Sequence, residues 1–402
     1  MYKITRTFIH TQSAISIQVF SIHETYFPIM RLISLLAPIL LSTLLLVLVA
    51  CEPQATEKSA PRPVSVIAYY AGSADGIEQF DLAPLDQVIH SFLHLKGNKL
   101  ALDDAQDSLG IAKLVALKAR YPKLKVLLSL GGWGGCETCS DVFSSAEART
   151  EFAQSTLDLL TRFGADGIDL DWEYPGISGY EGHAYKPEDK QNFTYLVQEL
   201  RKTLGDGYEI SFAAGGFARF FDGSAEWDKV MPLVDRVNIM SYDLVGGGSP
   251  KTGHHTGLYS TSEQLRSADH AVRYLDSLGV PREKMVIGAA FYARVWGEVA
   301  NINHGLYQPG KFKRSVRYNV LEDFFQENPG FELFWDEEAQ APYAYHADSM
   351  WFATFDDSLS VSIKTTYAQE QGLGGIMFWQ LASDKPRGGL LEAIDKVAGE
   401  GK

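Results

Sequence analysis

From residue 64 onward, short β-branched, apolar runs alternate with amphipathic stretches at helical spacing. The runs cover residues 64–70, 88–95, 125–130, 167–172, 209–214, 236–242, 285–291 and 375–380. Each is short and bounded by turn-forming residues, the mark of a strand rather than a buried helix. Between them, the stretches 108–121, 146–163, 187–204, 262–278 and 358–371 place apolar residues on one helical face. Eight strands alternating with helices predict an α/β chain folded as a (β/α)8 TIM barrel. A doubly wound open sheet is the alternative, but no glycine-rich phosphate loop follows the first strand. The rhythm breaks once. The interval after the seventh strand is too long for a loop and rich in Tyr, Phe and Trp, so a small α+β insertion at about 297–355 is expected between strand 7 and the last helix. It would wall one side of the face where barrel sites form. Little chain follows the eighth strand, and no appended binding module is expected.

The fourth strand carries a second constraint. Asp166-Gly-Ile-Asp169-Leu-Asp171-Trp-Glu173 sets Asp169, Asp171 and Glu173 at alternate positions. Alternate residues of a strand share one face, so these carboxylates would point together. Acidic runs are usually solvated surface, but here Ile168, Leu170 and Trp172 intervene, and Pro175-Gly176 closes the segment. Crowded, buried carboxylates repel one another and raise the proton affinity of at least one member. That gives a strand no stability. It is what acid–base catalysis needs: one acid kept protonated near neutral pH beside another that stays ionised.

The N-terminus has the composition of a targeting segment. Residues 1–29 lack signal character and form an extension, with Met30 the expected start. Met30-Arg31 then opens an apolar stretch, 30–50, ending in Leu48-Val49-Ala50-Cys51. A cysteine in that position resembles the lipobox of bacterial lipoproteins, in which Cys51 would be acylated; a transmembrane anchor is the alternative. Residues 52–63 are polar and proline-containing, a linker before the catalytic region 64–402. The expected location is therefore exported, either an outer-membrane or cell-surface lipoprotein or secreted, with membrane contact only through the lipid. Cys136 and Cys139 form a CxxC pair that lacks the partners of a zinc site and the surroundings of a redox motif, so export favours a small disulfide. A formal charge of −14 argues against nucleic acid as partner. No metal or cofactor is expected, and the chain is expected to be a monomer.

Strand ends supply further candidates. Ser129-Leu-Gly-Gly132-Trp133 closes the third strand, Met240-Ser-Tyr242-Asp243 the sixth, Phe291-Tyr-Ala-Arg294 the seventh and Met377-Phe-Trp379-Gln380 the eighth. Any one aromatic here is more often core than ligand-facing, but their joint placement at strand ends carries weight. Taken together, Asp166–Glu173 resembles the DxxDxDxE motif of family-18 glycoside hydrolases, the chitinase family. Ser129–Gly132 resembles its SxGG motif, Met240–Asp243 its MxYD motif, and Gly374–Trp379 its final strand. The resemblance spans residues 64–397. Ala290 and Ala293 depart from the family's usual Pro and Gly.

The resemblance implies hydrolysis of β-1,4 links between N-acetylglucosamine units of chitin or its oligosaccharides, in which the substrate's acetamido group is the nucleophile. It implies Glu173 as general acid and then base, Asp171 as partner of the acetamido N–H, Asp169 as the residue tuning Asp171, and Tyr242 as donor to the acetamido oxygen. Asp243 would bind nearby sugar, and Trp379 would floor the subsite where the ring distorts. Tyr69, Phe92, Gly132, Trp133, Tyr174, Met240 and Arg294 match cleft positions. Two alternatives share the motifs: an endo-β-N-acetylglucosaminidase acting on glycoprotein glycans, and a chitinase-like lectin. The lectin usually lacks the acid that Glu173 supplies here.

Overall fold

The computed structural model describes residues 63–399; the expected signal segment, Cys51 and the linker up to residue 62 lie outside the described residues. Eight parallel strands close on themselves: β1 (Ser65–Tyr70), β2 (Gln87–Lys96), β4 (Lys125–Gly131), β5 (Gly167–Asp171), β6 (Glu209–Gly215), β7 (Arg236–Met240), β8 (Met285–Ala290) and β14 (Gly375–Trp379). The spatial order is β1-β14-β8-β7-β6-β5-β4-β2, and β1 pairs back onto β2. A short β3 (Lys99–Ala101) runs antiparallel to the end of β2. This is the expected (β/α)8 barrel.

Period-two patterning decides which residues fill it. In β1, Ile67 and Tyr69 join an interior cluster with Ile89, Leu127, Ala213, Met240, Val286 and Met377. Val66, Ala68 and Tyr70 instead face the outer helices and their larger core. A slip of one residue in β5 would turn its carboxylates out against those helices, so register and site are specified together. Helix boundaries follow local chemistry. Ser145 caps the helix Ala146–Phe163 by accepting from the Ala148 amide, and Gly164, with φ 71°, ends it in the left-handed region.

The outer ring is less regular than the spacing predicts. Between β1 and β2 only a 3-10 turn, Gly76–Gln79, replaces a helix. Between β7 and β8 the chain runs through irregular backbone before the helix Ala268–Ser277. After β8 it passes at once into β9 (Tyr292–Gly297), so the inserted sheet begins ahead of residue 297. With β10 (Lys311–Arg317), β11 (Phe331–Asp336), β12 (Ala341–His346) and β13 (Trp351–Thr354), β9 forms a five-stranded antiparallel sheet of order β10-β9-β13-β12-β11. The helix Leu321–Glu327 completes an α+β insertion. It precedes the helix Ser358–Glu370, which is not the last: Leu390–Gly399 follows β14 and packs on β1.

Candidate active site

The pairing register sets Ser129 of β4, Asp169 of β5 and Ser211 of β6 side by side. Asp169 is fully buried and accepts four hydrogen bonds. Ser211 Oγ (2.6 Å) and Asn238 Nδ2 (3.2 Å) donate to Oδ1, while Ser129 Oγ (2.8 Å) and Tyr69 Oη (3.1 Å) donate to Oδ2. Burial raises its proton affinity, and these donors oppose that rise. Among the described residues, no cation takes part in this network.

One step up the strand, Asp171 is 5% exposed, and its Oδ1 has no hydrogen-bond partner among the described residues. Burial first, then the charges of Glu173 and Asp169, drive its carboxyl well above the usual range. Of the two aspartates, Asp171 is therefore the one driven to bind a proton. Glu173, 8% exposed, stands just beyond the end of β5. Burial, reinforced by the charge of Asp243 and opposed by Tyr174, pushes its pKa up to about 7. A carboxylic acid that keeps its proton to neutrality at the mouth of a barrel is equipped to donate it.

Aromatic side chains surround these acids. Burial, followed by the nearby carboxylates, pushes the Tyr242 hydroxyl well above its ordinary range, which keeps it a neutral donor. Trp379 stacks on Phe92 at 5.4 Å and tilts against Tyr69 at 6.0 Å. Gly131, at φ 104°, and Gly132, at φ 79°, are in left-handed backbone; a Cβ on the first would strike the Asp171 carbonyl, and one on the second the Phe92 ring. Asp243, at φ 52°, is gripped by Arg294 through Nε (2.7 Å) and Nη2 (2.6 Å). Burial acts against that anion, but His255 and the Arg294 guanidinium hold it well below the usual carboxylate range. His255 is itself buried, its Nδ1 stands 3.6 Å from Asp243, and burial lowers its proton affinity against the pull of that carboxylate.

The family described as Glycosyl hydrolases family 18 matches residues 65–384. The chain belongs to this family. It is 34% identical to Chitinase A1 of Niallia circulans over 326 residues, 72% of this chain but only 46% of that protein. It is 30% identical to Chitinase B of Serratia marcescens, over 78% of this chain and 76% of the relative. Among solved structures, a family-18 N-acetylglucosaminidase from Paenibacillus barengoltzii matches with a TM-score of 0.76 at 34% identity, covering 83% of this chain and 99% of that one.

Against that membership, the residues singled out in the sequence fall into distinct places. Asp171, Glu173, Tyr174, Tyr242, Trp133 and Trp379 cluster at the C-terminal ends of the strands, whereas Tyr69 and Met240 lie beneath, in the barrel interior. Asp166, the first acid of the run, is elsewhere: it pairs with Lys118 at 2.6 Å and accepts from the Val126 amide. Arg294 belongs to β9 of the inserted sheet, not to the end of β8, because β8 stops at Ala290. Cys136 and Cys139 are disulfide-bonded in the loop after β4. Sequence reasoning overlooked Ser211, Asn238 and His255. The first two are polar residues within otherwise apolar strands, and that was the available signal.

Proposed function

We propose that the chain hydrolyses β-1,4 links between N-acetylglucosamine units of chitin or chitooligosaccharides, with retention and with the substrate's acetamido group as nucleophile. The observation that carries this reading is the proton held on Glu173 up to about pH 7, beside an aspartate that lacks a partner for one oxygen. Glu173 gives that proton to the glycosidic oxygen as the bond to the anomeric carbon breaks. The acetamido carbonyl oxygen closes on the same carbon and forms an oxazolinium ion. Asp171 shares its proton with Asp169 and accepts a hydrogen bond from the acetamido N–H, so the single negative charge of the pair stabilises the ring cation. Tyr242 Oη donates to the acetamido oxygen and aims it. Glu173, now a carboxylate, removes a proton from water, which opens the oxazolinium ring from the face that the leaving group vacated.

The relatives named as chitinases support this substrate class. The one named as an N-acetylglucosaminidase makes product size an open measurement: release of single sugars or cleavage within the chain. Export and acylation at Cys51 remain part of the proposal, tested by fatty-acid incorporation that Cys51→Ser abolishes. Glu173→Gln should lower kcat on chitin oligomers by about 10³-fold or more while preserving binding. Residual turnover within about tenfold of wild type would remove Glu173 as the acid. A fully deacetylated polymer should not be cleaved, since it lacks the nucleophile.

A further inference from the structure

A line of rings leaves the catalytic residues along the β4–β5 side of the cleft. Tyr174, next to Glu173, stands 6.4 Å from Trp133; Trp133 meets Tyr180 at 5.6 Å and 71°; Tyr180 is backed by His183 at 4.8 Å. Trp133 and Tyr180 are 60% and 42% exposed, too open for packing to be their main role. Their near-perpendicular rings make a solvent-facing corner continuous with the cleft. Trp133 follows β4 and Tyr180 follows β5, across the barrel in the strand order from β8 and from β14, which ends in Trp379.

The corner is braced from below. Fully buried Asp189 accepts from Ser140 Oγ (2.9 Å) in the segment after β4 and from the Lys186 amide (2.7 Å) in the loop after β5, which ties the two loops together. Ser178 accepts from Arg219 at 2.7 Å, fixing the same loop to its other neighbour. A Cβ on Gly179 would strike the Glu173 carbonyl, so the loop that carries Tyr180 packs directly on the catalytic segment. A ring platform set this firmly is preorganised for a ligand and loses little entropy on binding.

We propose that Tyr180, backed by His183 and set at right angles to Trp133, forms an additional sugar-binding station that takes a unit of a long N-acetylglucosamine chain beyond those flanking the cleaved bond. A β-1,4-linked pyranose presents axial C–H groups on its faces and hydroxyls around its rim, so one ring meets a sugar face while the perpendicular ring meets its edge. The inference rests on the substrate reading above. It makes the β4–β5 side of the cleft select for chain length.

The test is calorimetric titration of Glu173→Gln with the trimer and the hexamer of N-acetylglucosamine, with and without Tyr180→Ala. The added substitution should weaken hexamer binding by about tenfold and trimer binding by less than about twofold, with Tyr180→Trp restoring the hexamer affinity. Unchanged thermal melting would show that the exposed site alone was altered. Equal hexamer affinity with and without Tyr180, or equal losses for both oligomers, would overturn the station and leave the substrate reading intact. If neither oligomer binds Glu173→Gln, the substrate reading falls, and the station with it.

Discussion

Asp356 and Asp171 are both buried aspartates, yet only one of them is held by a cation. Asp356 is fully buried, and Lys364 Nζ reaches both its oxygens at 2.7 Å. Ser360 Oγ (2.7 Å), Thr256 Oγ1 (2.9 Å) and the Ala290 amide (2.9 Å) complete its shell. The pair thereby joins the end of β8, the long segment before β8 and the helix Ser358–Glu370. Among the described residues, Asp171 has no cation beside it and its Oδ1 has no hydrogen-bond partner. A buried charge held by a counterion organises the chain around it; a buried carboxylate without one has its proton affinity raised. Asp243 lies between these extremes, since it is paired with Arg294 but sits at the cleft edge with its charge felt by Glu173.

The sharpest way to break this comparison is to unpair Asp356. Lys364→Met should cost about 3–5 kcal/mol of stability, because it strands a buried carboxylate. Turnover measured well below the melting temperature should stay within about twofold of wild type. The double variant Asp356→Leu/Lys364→Met should recover most of the loss. A single variant that melts like wild type would show that the pair is no more structural than the acids of β5.

A smaller effect separates the two aspartates within β5. Ser211→Ala removes one of the four donors to Asp169, which should cost about 1.5–3 kcal/mol, the worth of a hydrogen bond to a charged group. Those donors hold the Asp169 proton affinity down, so losing one lets it rise further. The acid limb of the rate profile should then move to higher pH, whereas a purely structural serine would leave the limb in place.

The barrel strands were legible because eight apolar runs needed only period-two patterning and bounding turns, which are local properties. Asp169, Asp171 and Glu173 were legible for the same reason: they stand two residues apart along β5 and the residues just past its end. Asp243 and Arg294 were each visible at a strand end, but their ion pair was not. It joins residues 51 positions apart, one of them on an inserted sheet whose start depends on how β8 turns into β9. His255 was hidden more deeply. It lies in irregular backbone with no periodic signal, and it reaches Asp243 only because its own amide is held by Thr354 and its carbonyl by Leu244. Ser211 and Asn238 were overlooked because one polar residue in an apolar strand reads as a tolerated defect until the neighbouring strand supplies a carboxylate.

The smallest effect reads the Glu173 proton without using catalysis. Its carboxyl has an ordinary value of 4.5 and is raised to about 7 in the folded chain, with burial the main cause. Below the ordinary value the group is protonated in both states, so it contributes no difference. Between the two values the folded state binds a proton that the unfolded state has released, and stability falls as pH rises. Above the folded value the full cost of a buried carboxylate is present. Glu173→Gln is neutral throughout, so it should melt like wild type at about pH 4 and be more stable at about pH 8. The difference should be about 1–3 kcal/mol, because Asp171 shares the burial penalty with Glu173. The same ionisation should make wild-type turnover fall above about pH 7, as the acid loses the proton it must donate. Carboxylates remote from Glu173 titrate alike in both proteins and cancel in the comparison, whereas Asp171, whose proton affinity the Glu173 charge raises, does not. A variant equally stabilised at both pH values would mean that Gln merely packs better, and that the fold does not hold the proton on Glu173.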